Sequence, residues 1–322
     1  MGTFRSLTVG SALALLLSAL SFVSASPAHA ANVSCGQTIT QSTVLNGDVG
    51  PCAEGITIAG NNITFDLNQF TIFGTPSTGE GPGIFIERRS GDVVRNGTVR
   101  DFDAGVAIES GATNNTVTRM VLRDNIGSPN GDYGDGVVLF GTGTTANTIT
   151  GNVARHNGPF DGIGLVGAAS GNTISGNTVV DNNLGIQDTG IRIEGPGAKN
   201  NVVTRNSVRN SGLDGIEAFG FTNLNSGSVI TNNVVAGNAR HGIVLFRNPA
   251  AAGAANSLVQ TNVILGNRGA GLLVQSLNNQ LLANRSSGNS ALDLQDTNAN
   301  CDNNAWHGNQ GVTFSPPCTL SP

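Results

Sequence analysis

Apolar and polar positions alternate in short bursts along nearly the whole chain, and the bursts recur. Eight segments share one form, a glycine followed by alternation: PGIFIE, AGVAIE, DGVVLF, DGIGLV, TGIRIE, DGIEAF, HGIVLF and AGLLVQ. They bring Gly83, Gly105, Gly136, Gly162, Gly190, Gly215, Gly242 and Gly271 into register. Period-two alternation predicts strands with Ile, Val or Leu inward and a variable residue outward. A second unit interleaves with the first. It runs from Asn147 to Asn152, Asn172 to Asn177, Asn201 to Asn206, Ser228 to Asn233, Ser257 to Asn262 and Asn279 to Asn284. Five residues on, a further Asn follows at Asn125, Asn157, Asn182, Asn238, Asn267 and Asn289, with Ser211 filling the remaining rung.

A unit this small cannot bury its inner face alone, whereas stacked units bury a continuous apolar column. Strands of successive coils then pair in parallel at about 4.8 Å. Asn is a poor strand former, but in a stack its amide can hydrogen-bond up and down the column and to the turn backbone. The pattern therefore predicts an all-β, single-domain parallel β-helix of about ten coils. In the Asp-Gly pairs the carboxylate is expected to accept a local N–H while Gly takes positive φ.

Composition narrows this picture. The chain has 45 Gly, 39 Asn and 11% charged residues, against about 25% charged in ordinary globular domains, so long helices are excluded. The formal charge is −5 and the only lysine is Lys199. That balance argues against nucleic acid or an anionic membrane as partner and favours a neutral or cation-bridged extracellular ligand. Arg5, an apolar run over 7–23 and the tripeptide Ala28-His29-Ala30 form the pattern of a signal peptide over residues 1–30, cleaved before Ala31. No later apolar run is long enough to span a bilayer. The expectation is an exported, soluble monomer, secreted or extracytoplasmic. Its β-helix domain covers 31–322, with end caps at about 31–60 and 298–322.

Four cysteines allow three pairings. Cys35 and Cys52 open the solenoid, and Cys301 and Cys318 close it. Coils about 4.8 Å apart put the two ends roughly 40 Å or more from one another, far beyond the ~7 Å Cα limit for a disulfide. Only Cys35 with Cys52 and Cys301 with Cys318 survive, as staples on the caps.

The tandem N-x-I-x-x-N and D-G-I-x-L units resemble the right-handed parallel β-helix repeats of carbohydrate-binding and sugar-hydrolase proteins, in the pectate-lyase-like superfamily; NosD-type copper-maturation β-helices share the repeat. The opening ITIAGNNITFDLNQFTIFG and VVRNGTVRDFDAGVAI are similar to the first coils of secreted members. The resemblance covers nearly all of residues 35–318. It implies an extracellular polysaccharide as partner and a site along one sheet and its bordering turn. The Arg-x-Pro-x-x-Arg segment of pectate lyases and the paired-Asp motif of polygalacturonases are absent.

The residue before each strand glycine forms a column whose middle is ionisable: Asp135, Asp161, Thr189, Asp214 and His241. Beside it, on outward strand positions, stand Arg192, Glu194, Glu217, Phe219 and Phe246. Rings can cover sugar C–H surfaces while charged groups bind hydroxyls or uronates. The candidate catalytic set is Asp161, Asp214, Glu217 and His241, and the candidate substrate-binding set is Arg192, Glu194, Phe219 and Phe246. Asp161 and Asp214, two coils and so about 9 to 10 Å apart, match an inverting glycosidase pair. Alternatively Asp132, Asp135 and Asp161 could hold Ca²⁺, with an Arg or His241 as base in a β-elimination. No cofactor other than such a Ca²⁺ is implied. Two functions remain open: a secreted protein that binds, and in an enzymatic version cleaves, polysaccharide as a lyase or glycosidase; or a non-catalytic surface or matrix protein whose faces serve adhesion. The enzymatic version requires Asp214, Glu217 and His241 to converge in a groove walled by the 126–135 and 221–227 insertions.

Overall fold

The computed structural model describes residues 29–75, 81–182, 189–220, 227–247, 255–301 and 303–320. They form a parallel solenoid of about nine turns, close to the ten expected. The Gly-led segments build a 12-stranded sheet, and the Asn-led segments a 20-stranded sheet that bends at a corner within each coil. On one side of that corner Thr173–Ser175 pairs with Thr148–Thr150 and Val202–Thr204. On the other, Thr178–Val180 pairs with Val153–Arg155 and Ser207–Arg209. All these pairs are parallel and in register.

Identical registers stack identical side chains. Ile149, Ile174, Val203, Ile230, Val259 and Leu281 form one fully buried row, and Ile163, Ile191, Ile216, Ile243 and Leu272 face it from the other sheet. The strand glycines lack the positive φ expected of an Asp-Gly turn. They are needed for space. A Cβ on Gly215 would come 2.2 Å from Val235 Cγ1 and 2.6 Å from Asn238 Nδ2.

The asparagines form the anticipated ladders. Asn177 donates its backbone N–H and its amide to Asn206 Oδ1 at 2.9 and 3.0 Å, and the same amide donates to the Ile149 carbonyl at 2.9 Å. Asn206 repeats these bonds to Asn233 and Ile174. Each rung thus satisfies backbone groups that a buried turn would otherwise strand. Ser211 and Ser228 interrupt the ladders, and their hydroxyls have no hydrogen-bond partner.

Both expected disulfides are present, Cys35–Cys52 and Cys301–Cys318. At the C-terminal end Trp306 closes the core and donates its indole N–H to Asp296 Oδ2 at 2.9 Å. Residues 1–28, which carry most of the expected signal peptide, and 221–226, which carry most of one expected groove wall, lie outside the described residues. His29–Ala31 pairs with Thr43–Leu45 as a strand of the first coil. Among the described residues no helix is long and apolar enough to cross a membrane.

Candidate functional site

Outward positions of the 12-stranded sheet line up as Ala107, Val138, Gly164, Arg192, Glu217 and Val244, each paired in register with the next. Arg192 therefore lies between a residue without a side chain and a carboxylate. Its Nε is 3.3 Å from Asp161 Oδ1 and 3.5 Å from Glu217 Oε2. Nη1 donates to Glu194 Oε2 at 3.2 Å, and Nη2 donates to Thr189 Oγ1 at 3.0 Å. One guanidinium, 13% exposed, serves three carboxylates.

Asp135 and Asp161 are each 2% exposed. Asp135 accepts the backbone N–H groups of Gly134 and Asp161, yet its Oδ1 has no hydrogen-bond partner, nor has Asp161 Oδ1. Gly164 makes room for both: a Cβ there would meet Asp135 Oδ1 at 2.9 Å and Asp161 Oδ2 at 3.4 Å. Burial pushes the Asp135 carboxyl up to about 7, with Arg192 pulling the other way. Burial also raises Asp161 well above the carboxylate range, opposed by Arg192 and reinforced by Asp135. Glu217 is raised by burial, again against the pull of Arg192. Above these groups lies a cavity of about 200 Å³. Asp135, Asp161, Arg192 and Glu194 provide its polar surface, Val138, Phe140, Phe160 and Val166 its apolar one, and the exposed Asp132 also borders it.

Farther along the face, Asp214 is fully buried. Arg240 Nε donates to both of its carboxylate oxygens at 2.9 and 3.1 Å, and the His241 N–H donates to Oδ1 at 2.8 Å. His241 Nδ1 accepts the Ala270 N–H at 2.8 Å, and burial lowers its pKa. Phe219 and Phe246 pack with ring centroids 4.6 Å apart.

The right handed beta helix region family matches residues 22–179 and, overlapping, 130–252. The chain belongs to the right-handed β-helix family. Solved structures that share its fold include the following three. A mutant of the periplasmic alginate epimerase AlgG is 18% identical at a TM-score of 0.55, covering 86% of this chain and 76% of its own. The A-module of the Azotobacter vinelandii mannuronan C-5 epimerase AlgE4 is 14% identical at 0.52, covering 90% and 89%. A mutant tailspike of the E. coli bacteriophage HK620, in complex with pentasaccharide, is 11% identical at 0.58, covering 87% and 53%. No curated protein matches the sequence.

In this β-helix protein the expected residues divide into two groups. Asp135, Asp161, Arg192, Glu194 and Glu217 converge. Asp214 does not reach solvent, because Arg240 and the His241 backbone occupy its oxygens, whereas Asp161 and Glu217 both contact Arg192 Nε. Their nearest oxygens are no farther apart than the two contacts to Arg192 Nε laid end to end, and a guanidinium stands where an inverting enzyme places water. His241 cannot act as base through Nδ1, whose lone pair is already used. Asp132, Asp135 and Asp161 border the same cavity, while among the described residues no three His, Cys, Asp or Glu side chains gather as a metal cluster. Sequence reasoning did not assign roles to Arg240, Gly164 and Phe160. Arg240 was signalled only by its place beside the ionisable column, and Gly164 by being, among the described residues, the glycine at an outward strand position of that sheet.

Proposed function

We propose that this β-helix protein binds an extracellular polysaccharide along the outward face of its 12-stranded sheet. The observation that carries this reading is the cavity itself: buried carboxylates with unused acceptor oxygens beside apolar and aromatic walls, an arrangement suited to polyhydroxylated rings. The Phe219–Phe246 pair extends a sugar-facing surface along the same sheet. Two disulfides suit an oxidising compartment, and the N-terminal pattern suits export. The named neighbours, two epimerases of polymeric sugars and a tailspike carrying a pentasaccharide, lend support by analogy of fold.

A second reading, cleavage, draws on the Asp161 and Glu217 carboxyls, both raised by burial, since an upward shift is the direction a general acid requires. One experiment separates the two. The purified protein is incubated with a panel of polysaccharides and assayed for retention on each polymer, for new reducing ends and for the ultraviolet absorbance of unsaturated products, beside Glu217→Gln. Retention without product formation establishes the binding protein. Product formation lost in Glu217→Gln establishes the enzyme. Neither retention nor product on any polymer removes both and leaves adhesion by other faces of the solenoid.

A further inference from the structure

We propose that the cavity over Asp135, Asp161 and Arg192 takes an uncharged, hydroxyl-rich sugar residue and rejects uronates, an inference that rests on the polysaccharide reading above. Charge is the first reason. Asp132, Asp135, Asp161 and Glu194 line the cavity against one cation, Arg192. That guanidinium is shared among carboxylates, with Nη1 on Glu194, Nη2 on Thr189 and Nε within ion-pair distance of both Asp161 and Glu217. Arg240, the next cation along the face, is held by Asp214. A carboxylate entering here meets Glu194 and Asp132, disfavours the ionised forms of Asp135 and Asp161 still further, and finds no cation to itself in a partly desolvated space.

Hydrogen-bond polarity is the second reason and is independent of net charge. Asp135 Oδ1 is a buried acceptor without a hydrogen-bond donor, and Asp161 Oδ1 has only the 3.3 Å ion-pair contact to Arg192 Nε; a buried polar atom left so costs free energy that a ligand can recover. Asp135 Oδ1 occupies the space over Gly164 that any other residue would fill with its side chain. A sugar hydroxyl donates to such an oxygen; an ionised carboxylate has no proton to donate. Phe140 and Phe160 then face the C–H surfaces of the ring.

The test compares polymers matched in backbone and different in charge: polygalacturonate against its methyl ester, and carboxymethyl cellulose against hydroxyethyl cellulose. Binding is measured by affinity electrophoresis and calorimetry for the wild-type chain, Gly164→Val and Asp135→Asn. The expected result is that a neutral member binds about tenfold or more tighter than its acidic partner. Gly164→Val, which fills the floor from an outward strand position, should lower neutral binding by a similar factor at an unchanged circular dichroism spectrum. Asp135→Asn, which keeps the shape and removes a charge, should narrow the gap between neutral and acidic members; it also serves should Gly164→Val not fold. Tighter binding of an acidic member that Gly164→Val abolishes would overturn the inference while leaving the polysaccharide reading intact. Neutral binding untouched by both substitutions would overturn its placement. Polymers of neither kind being retained would overturn the parent reading instead.

Discussion

Arg192 Nε stands 3.3 Å from Asp161 Oδ1, an ion pair buried against the sheet face between side chains that are 13% and 3% exposed. The guanidinium is the only counter-charge within reach of Asp161 in the described residues. Removing one partner of a buried pair typically costs about 3 to 5 kcal/mol, because the other charge stays behind. Arg192→Met is therefore expected to destabilise the fold by about 3 kcal/mol at pH 8 in urea denaturation. At pH 5 the loss should be smaller, since Asp161 and Glu217, both raised by burial, take up protons once the cation is gone. An equal loss at both pH values would mean that packing, and not charge, holds Arg192 in place.

Asp135 gives stability a distinct pH dependence. Its folded carboxyl lies at about 7 against 3.8 for the ordinary group, burial being the main cause. In that interval the folded chain holds a proton that the unfolded chain has released, so stability falls as pH rises toward and through 7. The lowered Asp66 and Asp293 work in the opposite sense only in the acid range. His241, lowered by burial, favours the folded state as pH rises toward 6.5. A melting series from pH 6.5 to 8 therefore isolates the buried carboxyls. The wild-type melting temperature should decline over that range and Asp135→Asn should decline less. Parallel slopes would remove Asp135 from the account.

The coils were legible in the sequence because a repeat constrains many positions at once. Gly162, Gly190 and Gly215 mark the same corner in three coils, Asn152, Asn177 and Asn206 the same turn, and the cysteine pairs follow once the ends are known to be far apart. Convergence of Asp135, Asp161 and Arg192 was partly legible, since in-register outward positions must be neighbours. Burial within that column was not. Asp161 and Asp214 occupy equivalent positions two coils apart, yet one borders a cavity and the other is covered, because Arg240 on the following coil reaches back over Asp214. Side-chain reach of that kind depends on rotamers, and no periodicity encodes it. Asp132 illustrates the same limit for loops: its distance from Asp161 depends on how the inserted turn folds.

The ladders predict two opposite effects. Asn206 Oδ1 accepts the Asn177 backbone and amide N–H groups, and its amide serves the Ile174 carbonyl and Asn233. Asn206→Ala leaves several buried groups without partners, each worth about 1 to 3 kcal/mol, so a loss of about 3 kcal/mol or more is expected. Ser211 sits in a ladder with Asn238 next to it and has an unused hydroxyl. Ser211→Asn is expected to stabilise the chain by about 1 kcal/mol by restoring the rung. Urea midpoints report both. A neutral Asn206→Ala would show that water replaces the amide, and a destabilising Ser211→Asn would show that the corner beside Gly190, whose added Cβ would lie 2.8 Å from Ser211 Oγ, is too tight for Asn.

His241 is fixed in its role by a single bond. The Ala270 N–H can only donate, so the Nδ1 that receives it at 2.8 Å is unprotonated and Nε2 carries the proton of the neutral ring. Protonating Nδ1 would break that bond in a half-buried setting, and burial already lowers the imidazole pKa against the attraction of Asp214. The ring should therefore titrate below 6.5 and stay in the Nε2–H form at neutral pH, both visible in nitrogen-detected NMR of the histidines. At neutral pH His241 can then donate a hydrogen bond to a ligand through Nε2 but cannot take a proton from one. A titration midpoint above 6.5 with an Nδ1–H signal would reverse this assignment and return His241 to the list of candidate bases.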